Sequence, residues 1–274
     1  MQVSSLRKPL FGKEVEIVVW GIDDSLAKSV LEDAYERGRE LEKTFNLYDK
    51  DSVLSRLNEK RRLKAPEELL IVMRKALEIC QKTEGRYDIS LGKQFLARKS
   101  GRAVQTSGCS YKDIKILDNE IRLTHPDVLV DLGSIAKGYI ADEMADSLKG
   151  QGVLSGLIDA RGDIRSFGEE KIIEVQHPRE DKALCSIKLK DGGVATSGDY
   201  SQLTPRNPHI LNSRWISVTV IAKTLMEADV YATAIFVSSK EDIEKLLSGT
   251  DIKAMCVKKD SGIECFNGFQ GCLA

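Results

Sequence analysis

The chain has 274 residues with a formal net charge of −1, and its 42% apolar and 30% charged residues are the balance of a globular protein with a sizeable core. Forty-one basic residues stand against 42 acidic ones without a basic stripe or arm, which excludes nucleic acid as the principal partner. No apolar run approaches the roughly 20 residues of a membrane-spanning helix.

Glu14 to Trp20 predicts a first strand. Asp23-Asp24-Ser25 then caps a long helix to about Lys43, with Leu26, Val30, Ala34, Gly38 and Leu41 along one side. Thr44 to Tyr48 reads as a short extended piece breaking into a polar turn, and Ser52 to Asn58 as a helical turn. Pro66 opens a helix with Leu69, Leu70, Met73, Leu77 and Cys80 inward, which stops before a glycine turn, Gly85 to Ser90. Residues 96–112 carry little pattern and read as loop, and Tyr111 to Thr124 as a hairpin.

The stretch Asp131–Asp163 organises the rest. A strand end, Val128-Leu129-Val130, runs into a glycine-containing loop and a helix from near Ile135 with Ile140, Ala141, Met144, Ala145 and Leu148 at helical spacing. A second apolar run, Val153 to Ile158, stops at Arg161-Gly162-Asp163. Strand, glycine turn, helix, strand is either a structural unit or an anion site at a helix N-terminus.

Further strands are expected at Lys171–Gln176, Cys185–Leu189, up to Thr196-Ser197-Gly198, and at Ile216–Ile221, Ile252–Val257 and Ile263–Phe266. Helices are expected from Glu227-Ala228-Asp229 to Val237 and over Glu241–Leu247. Strands and helices mix irregularly, so the class is α+β with mixed, largely antiparallel sheets packed with helices, in a single domain over 1–274.

The six cysteines lack a CxxC pair, so neither a disulfide scaffold nor a zinc site organises the chain, although Cys265 and Cys272 are placed to bridge in an oxidising compartment. The N-terminus has no apolar core followed by small residues. The expected compartment is the cytoplasm, or the periplasm or outside for a chain whose leader has been removed. No P-loop, GxGxxG or GxSxG motif occurs.

Asp229 and Thr233 lie four apart on one helix face. They form either a hard-oxygen pair suited to Mg²⁺ or a dipole-favoured aspartate with a buried threonine. Thr196-Ser197-Gly198 offers N–H groups and hydroxyls to a phosphate, or is a turn. His209 is a candidate general base or a structural residue before a strand. Tyr48 and Tyr87 stand beside turns, where they stack on a planar ligand or pack.

In chain order, TFNLYDKDSVLSRLN, GRYDIS, VDLGSIAKGYIAD, LIDARGDIRSFG, VATSGDY, HIL and SVTVIAKTLMEADVYATAIFV resemble the motifs of the ApbE-type flavin transferases, from about residue 10 to 240. The resemblance implies an ApbE-like fold and an enzyme that takes FAD and Mg²⁺, attaches FMN through a phosphoester to a threonine or serine of a flavin-accepting protein (a redox-complex subunit), and releases AMP. It implies metal ligation by Asp229, Thr233 and the Ser134 carbonyl, with Phe11 (usually Met in the family) and Tyr48 flanking the flavin. Arg86, Tyr87, Asp88, Ile89, Asp131, Lys137 and Leu211 match FAD-contacting positions, with Thr196 beside them, and His209 matches the base that deprotonates the incoming hydroxyl.

Two departures stand out. The family's HIIDPRTG is shortened here to His209-Ile210-Leu211-Asn212-Ser213-Arg214-Trp215, and its Gly-Gly turn is Arg161-Gly162. The alternatives these leave are an FAD pyrophosphatase releasing FMN and AMP, or a non-catalytic FAD-binding protein.

Overall fold

The computed structural model describes residues 2–102, 108–199 and 214–274. Strands β1 (Val3–Leu10) and β2 (Lys13–Trp20) open the chain as an antiparallel hairpin, with Leu10 opposite Lys13. Its two-residue connection, Phe11-Gly12, takes φ of 56° and 72°, left-handed at both positions as a tight hairpin requires. The sequence pattern conceals β1 because its half-buried face carries Ser4 and Lys8 as well as Leu6. It is an edge strand, where a clean apolar alternation is not needed.

Helix α1 (Asp24–Phe45) follows, then α2 (Val53–Lys60), β3 (Arg62–Lys64), α3 (Glu67–Lys82) and α4 (Gly92–Lys99). α1 runs beyond the expected end because Phe45 is buried, its ring 5.7 Å from Tyr139 at 70°. α4 occupies the start of the stretch expected as loop, and Gly92 anchors it by donating to the Leu129 carbonyl at 2.9 Å. The hairpin β4 (Ile114–Leu117) and β5 (Glu120–Leu123) completes a small sheet with β3, in the order β3-β5-β4.

The expected strand over 128–130 is only a single parallel bridge between Leu91 and Leu129. The Leu129 groups pair with the backbone of Ser90 and Gly92, and side chains take up the Val130 groups and the Val128 carbonyl. Asn58 accepts from the Val130 N–H at 2.7 Å and donates to the Val130 carbonyl at 2.9 Å, and Arg61 donates to the Val128 carbonyl at 2.6 Å. The segment entering the Asp131 turn is therefore fixed by α2, and the organising stretch is not a βαβ unit.

Next come α5 (Ala136–Gly150), β6 (Ser155–Ala160), β7 (Asp163–Phe167), β8 (Lys171–Gln176), β9 (Ala183–Leu189), β10 (Gly192–Gly198) and β11 (Trp215–Ala222). The chain ends with α6 (Leu225–Phe236), α7 (Lys240–Leu247), β12 (Lys253–Lys258) and β13 (Ile263–Phe266). β7 was hidden behind the turn read at 161–163. Arg161 and Gly162, at φ 68° and 92°, are a two-residue hairpin loop with Ala160 opposite Asp163. β10 continues through Thr196-Ser197-Gly198 rather than breaking there.

Among the described residues the main sheet has eight strands in the order β1-β2-β6-β7-β10-β11-β12-β13, every pair antiparallel. β8 and β9 form a separate hairpin whose Val175, Ile187 and Leu189 pack with Ile164, Val194, Met255 and Phe269. The larger core gathers the buried sides of α1, α3, α5 and α6, including Ile140, Met144 and Leu148 as their spacing predicts. Among the described residues no helix is long and apolar enough to cross a membrane.

Candidate functional site

β2 begins where β6 ends, since Glu16 pairs with Asp159. The Phe11-Gly12 and Arg161-Gly162 turns therefore lie side by side at one end of the sheet. β10 reaches the same end, because Val194 pairs with Ile164 and the strand then runs on through Thr196 and Ser197.

Helix α6 is seated against this end through two glycines. A Cβ on Gly138 of α5 would lie 2.4 Å from the Leu225 carbonyl oxygen, and one on Gly193 of β10 would lie 2.4 Å from the Leu225 Cα. No larger residue permits that approach. Asp142, one turn beyond Gly138, accepts from the Leu225 and Met226 N–H groups at 2.9 and 2.8 Å, two donors that lack partners within their own helix. Arg165 Nε stands 2.8 Å from Asp142 Oδ1 without the alignment of a hydrogen bond, so its contribution there is charge. Its Nη1 donates to the Ser166 and Gly192 carbonyls at 2.7 and 2.9 Å. Burial pushes the Asp142 carboxyl up to about 6, against the pull of the two N–H groups and Arg165.

α6 starts earlier than its pattern suggested, capped by Thr224, which accepts from the Glu227 N–H at 3.2 Å. Asp229 thus lies beyond the first turn, and proximity to the helix N-terminus does not account for it. It is 4% exposed and accepts from the Gly138 N–H at 3.3 Å. Lys137 hydrogen-bonds Asp163 Oδ2 and stands 3.8 Å from Asp229 Oδ1. Asp163 Oδ1 accepts from the Thr196 N–H at 3.1 Å, tying the end of β10 to the cluster. Beside it the Ser197 and Thr233 hydroxyls share a hydrogen bond of 3.1 Å, and those of Thr196 and Thr219 one of 2.9 Å.

Two buried carboxylates here face one ammonium. Burial alone would lower the Lys137 pKa, but Asp229 and Asp163 together outweigh it and hold the amine charged. Burial pushes the Asp229 carboxyl up, to about 7, and Asp163 adds to the push while Lys137 opposes it. The unbalanced negative charge beside hydroxyl oxygens suits a hard divalent cation. Among the described residues no group of three or more His, Cys, Asp or Glu gathers into a metal cage. The protein's share would be one carboxylate and neutral oxygens, with water and ligand oxygens supplying the rest.

Of the other predicted residues, Tyr87 and Ser134 meet through their hydroxyls at 2.8 Å. Burial raises the Tyr87 hydroxyl well above its ordinary value, and the negative charges of Asp229 and Asp131 act on it in the same direction. Asp131 Oδ1 accepts from the Gly133 N–H at 2.8 Å and shapes the turn before α5. Asp88 spends both oxygens locally, accepting from the Ser90 N–H and hydroxyl at 2.8 and 2.6 Å and from the Tyr111 N–H at 2.9 Å. The Ile89 side chain is buried in the core, and Arg86 pairs with Asp242 at 3.3 Å, so neither side chain joins the cluster. Tyr48 is 67% exposed in the turn after α1. His209 and Leu211 lie outside the described residues.

Phe11 is half-buried at its left-handed turn. Its N–H donates to Glu42 Oε1 and its carbonyl accepts from Arg161 Nη1, both at 2.8 Å. Arg161, which stands at the first position of the family's Gly-Gly turn, turns its guanidinium back to the Phe11 carbonyl. A left-handed φ costs a non-glycine residue about 1–2 kcal/mol.

Asp163, Asp142 and Arg165 are not legible as site residues in the sequence pattern, and Ser197 is legible there only as a phosphate-facing hydroxyl or a turn residue. Asp163 reads as part of a turn, and only β7 places it on a strand at the sheet end that β10 and Ser197 also reach. Asp142 sits in a helix whose pattern is dominated by its apolar stripe. Cys265 and Cys272, read as a possible bridge, are free thiols here, and Cys272 Sγ accepts from Lys253 at 3.2 Å.

Residues 11–256 match the ApbE family. A protein of Vibrio cholerae named FAD:protein FMN transferase is 26% identical over 268 residues, covering 82% of this chain and 78% of that protein. The counterpart from Salmonella typhimurium, of the same name, is 24% identical over 254 residues, covering 78% and 72%. Among solved structures, the flavin transferase ApbE of Vibrio cholerae superposes with a TM-score of 0.83 at 25% identity over 99% of both chains. The ApbE protein of Thermotoga maritima superposes with a TM-score of 0.86 at 24% identity over the full length of both. The chain belongs to the ApbE family.

Proposed function

We propose that this chain is an Mg²⁺-dependent FAD:protein FMN transferase. The observation that carries the proposal is the cluster of two buried carboxylates, Asp163 and Asp229, with half-buried Lys137 and Thr233, whose excess negative charge and hydroxyl neighbours fit a divalent cation and whose Lys137 stands ready for a pyrophosphate. The names of its relatives support flavin transfer. Asp229, Thr233 and the Ser134 carbonyl would hold Mg²⁺, which when bound supplies charge neutralisation at the scissile pyrophosphate.

The remaining work falls to the chain. Lys137, positioned by Asp163, orients the pyrophosphate, and the Thr196-Ser197 end of β10 closes the site beside it. Phe11 and Tyr48 take the isoalloxazine ring. The hydroxyl oxygen of an acceptor threonine or serine attacks the phosphorus of the FMN half, the bond from that phosphorus to the bridging oxygen breaks, and AMP leaves. The hydroxyl proton passes to His209. The acceptor is a flavin-accepting protein of the redox-subunit kind. The shortened loop after His209 favours hydrolysis as the competing outcome, with water replacing the acceptor hydroxyl.

Incubation with FAD, Mg²⁺ and a flavin-accepting redox subunit should give flavin fluorescence on the acceptor that survives denaturation, together with AMP, and EDTA should abolish both. AMP and FMN without a labelled acceptor would establish hydrolysis. Asp229→Ala should remove the Mg²⁺ dependence of FAD binding, and an unaltered Mg²⁺ titration would refute the ligand assignment.

A further inference from the structure

We propose that Arg161 is a positioning residue for the flavin end of the substrate, acting through the Phe11 turn. The inference rests on the reading above, in which Phe11 flanks the ring. Two tight hairpin turns, Phe11-Gly12 and Arg161-Gly162, lie side by side, and all four residues have left-handed φ between 56° and 92°. Neither glycine is required by close packing, since a Cβ on Gly12 or Gly162 would have no neighbour within 4 Å. The two non-glycine residues are instead bound to each other, with Arg161 Nη1 donating to the Phe11 carbonyl at 2.8 Å. Glu42 of α1 holds the Phe11 N–H at the same distance. Both backbone polar groups of Phe11 are thus tied from outside its own hairpin, one by the helix beneath and one by the neighbouring turn.

Arg161 also lies near enough to Lys137 for the two cations to repel. Two residues on, Asp163 hydrogen-bonds Lys137, so the Arg161 turn adjoins the side of the site where the pyrophosphate would lie. A lysine has a donor that can reach the same carbonyl, whereas methionine fills similar space with no donor and glycine relieves the left-handed φ. These differences make the proposal testable without loss of the fold.

The test measures FAD and ADP affinities by titration in the presence of Mg²⁺ for the full chain and for Arg161→Met, Arg161→Gly and Arg161→Lys. ADP carries the pyrophosphate but no flavin. Arg161→Met and Arg161→Gly should weaken FAD about tenfold while ADP changes less than twofold, with KM for FAD rising in step and kcat nearly held. Arg161→Lys should recover most of the FAD affinity. The proposal is overturned if both variants bind FAD as the native chain does, or if FAD and ADP weaken by the same factor, which would make Arg161 a phosphate contact. A native chain that shows no Mg²⁺-dependent FAD binding would overturn the proposed function itself, a distinct result.

Discussion

Gly138→Ala tests whether the close seating of α6 on α5 sets the site. The added methyl would lie 2.4 Å from the Leu225 carbonyl oxygen and 2.7 Å from the Met226 Cα, both backbone atoms that cannot swing aside. The helices must part by about 1 Å to restore ordinary contact, and overpacking of this kind costs about 1–3 kcal/mol. Alanine's better helix propensity returns about 1 kcal/mol, leaving a net loss of roughly 0–2 kcal/mol, or up to about 8 °C in Tm for a chain of this size. The effect on the site should exceed the effect on stability. Asp229 is bonded to the Gly138 N–H at 3.3 Å and lies 3.8 Å from Lys137, the adjacent residue. A displacement of that size at reacting groups is worth about 10²-fold in rate. Gly150→Ala, in the last residue of the same helix with nothing within 4 Å of its Cβ, is the control and should leave both quantities near native. The assay is thermal melting alongside an Mg²⁺ titration of FAD turnover. Equal Tm values and equal Mg²⁺ curves for the two variants would refute the argument.

Other outcomes follow from the same geometry. Ser197→Ala removes the partner of the Thr233 hydroxyl and should raise the Mg²⁺ requirement about 10–100-fold while FAD affinity without metal stays constant; an unchanged requirement would remove Ser197 from the site. Because burial raises the Asp229 carboxyl to about 7, and a cation must displace its proton, Mg²⁺ affinity should weaken about tenfold per pH unit below that value and be flat above it; calorimetric titration across pH 5–8 checks this. Asp142 is raised from 3.8 to about 6, so its folded form binds the proton more tightly than its unfolded form. Stability is therefore lost as pH rises through that window, by roughly 3 kcal/mol at 1.36 kcal/mol per pKa unit. Denaturant melts of the native chain and Asp142→Asn should show that difference between pH 4 and pH 7, and parallel pH profiles would contradict it.

The parts of this chain that sequence alone made legible are those where local pattern and packing agree. The stripe Ile140, Ala141, Met144, Ala145 and Leu148 gave α5, and all five are buried in the structure. The class was equally readable, because strands and helices of ordinary length alternate irregularly. The failures have tertiary causes. β1 needs no apolar alternation at an edge, and the 128–130 segment looks like a strand but makes one short bridge and gives its Val130 groups and Val128 carbonyl to Asn58 and Arg61. β7 was lost behind a two-residue turn whose first residue is arginine rather than a residue that favours left-handed φ. That error carried into the site. With β7 unseen, Asp163 was a turn residue, and nothing in the spacing brought it to Lys137 from 26 positions away. Asp229 and Thr233 were placed on one face correctly, but the glycines and the Asp142 carboxylate that hold their helix are legible only once α5 and α6 are packed.

Transfer is read most simply from the mass of a flavin-accepting redox subunit after incubation with this chain, FAD and Mg²⁺. The acceptor should gain one FMN phosphoester, matched mole for mole by AMP and absent with Asp229→Ala. An unmodified acceptor alongside accumulating FMN and AMP would contradict transfer and leave hydrolysis as the activity.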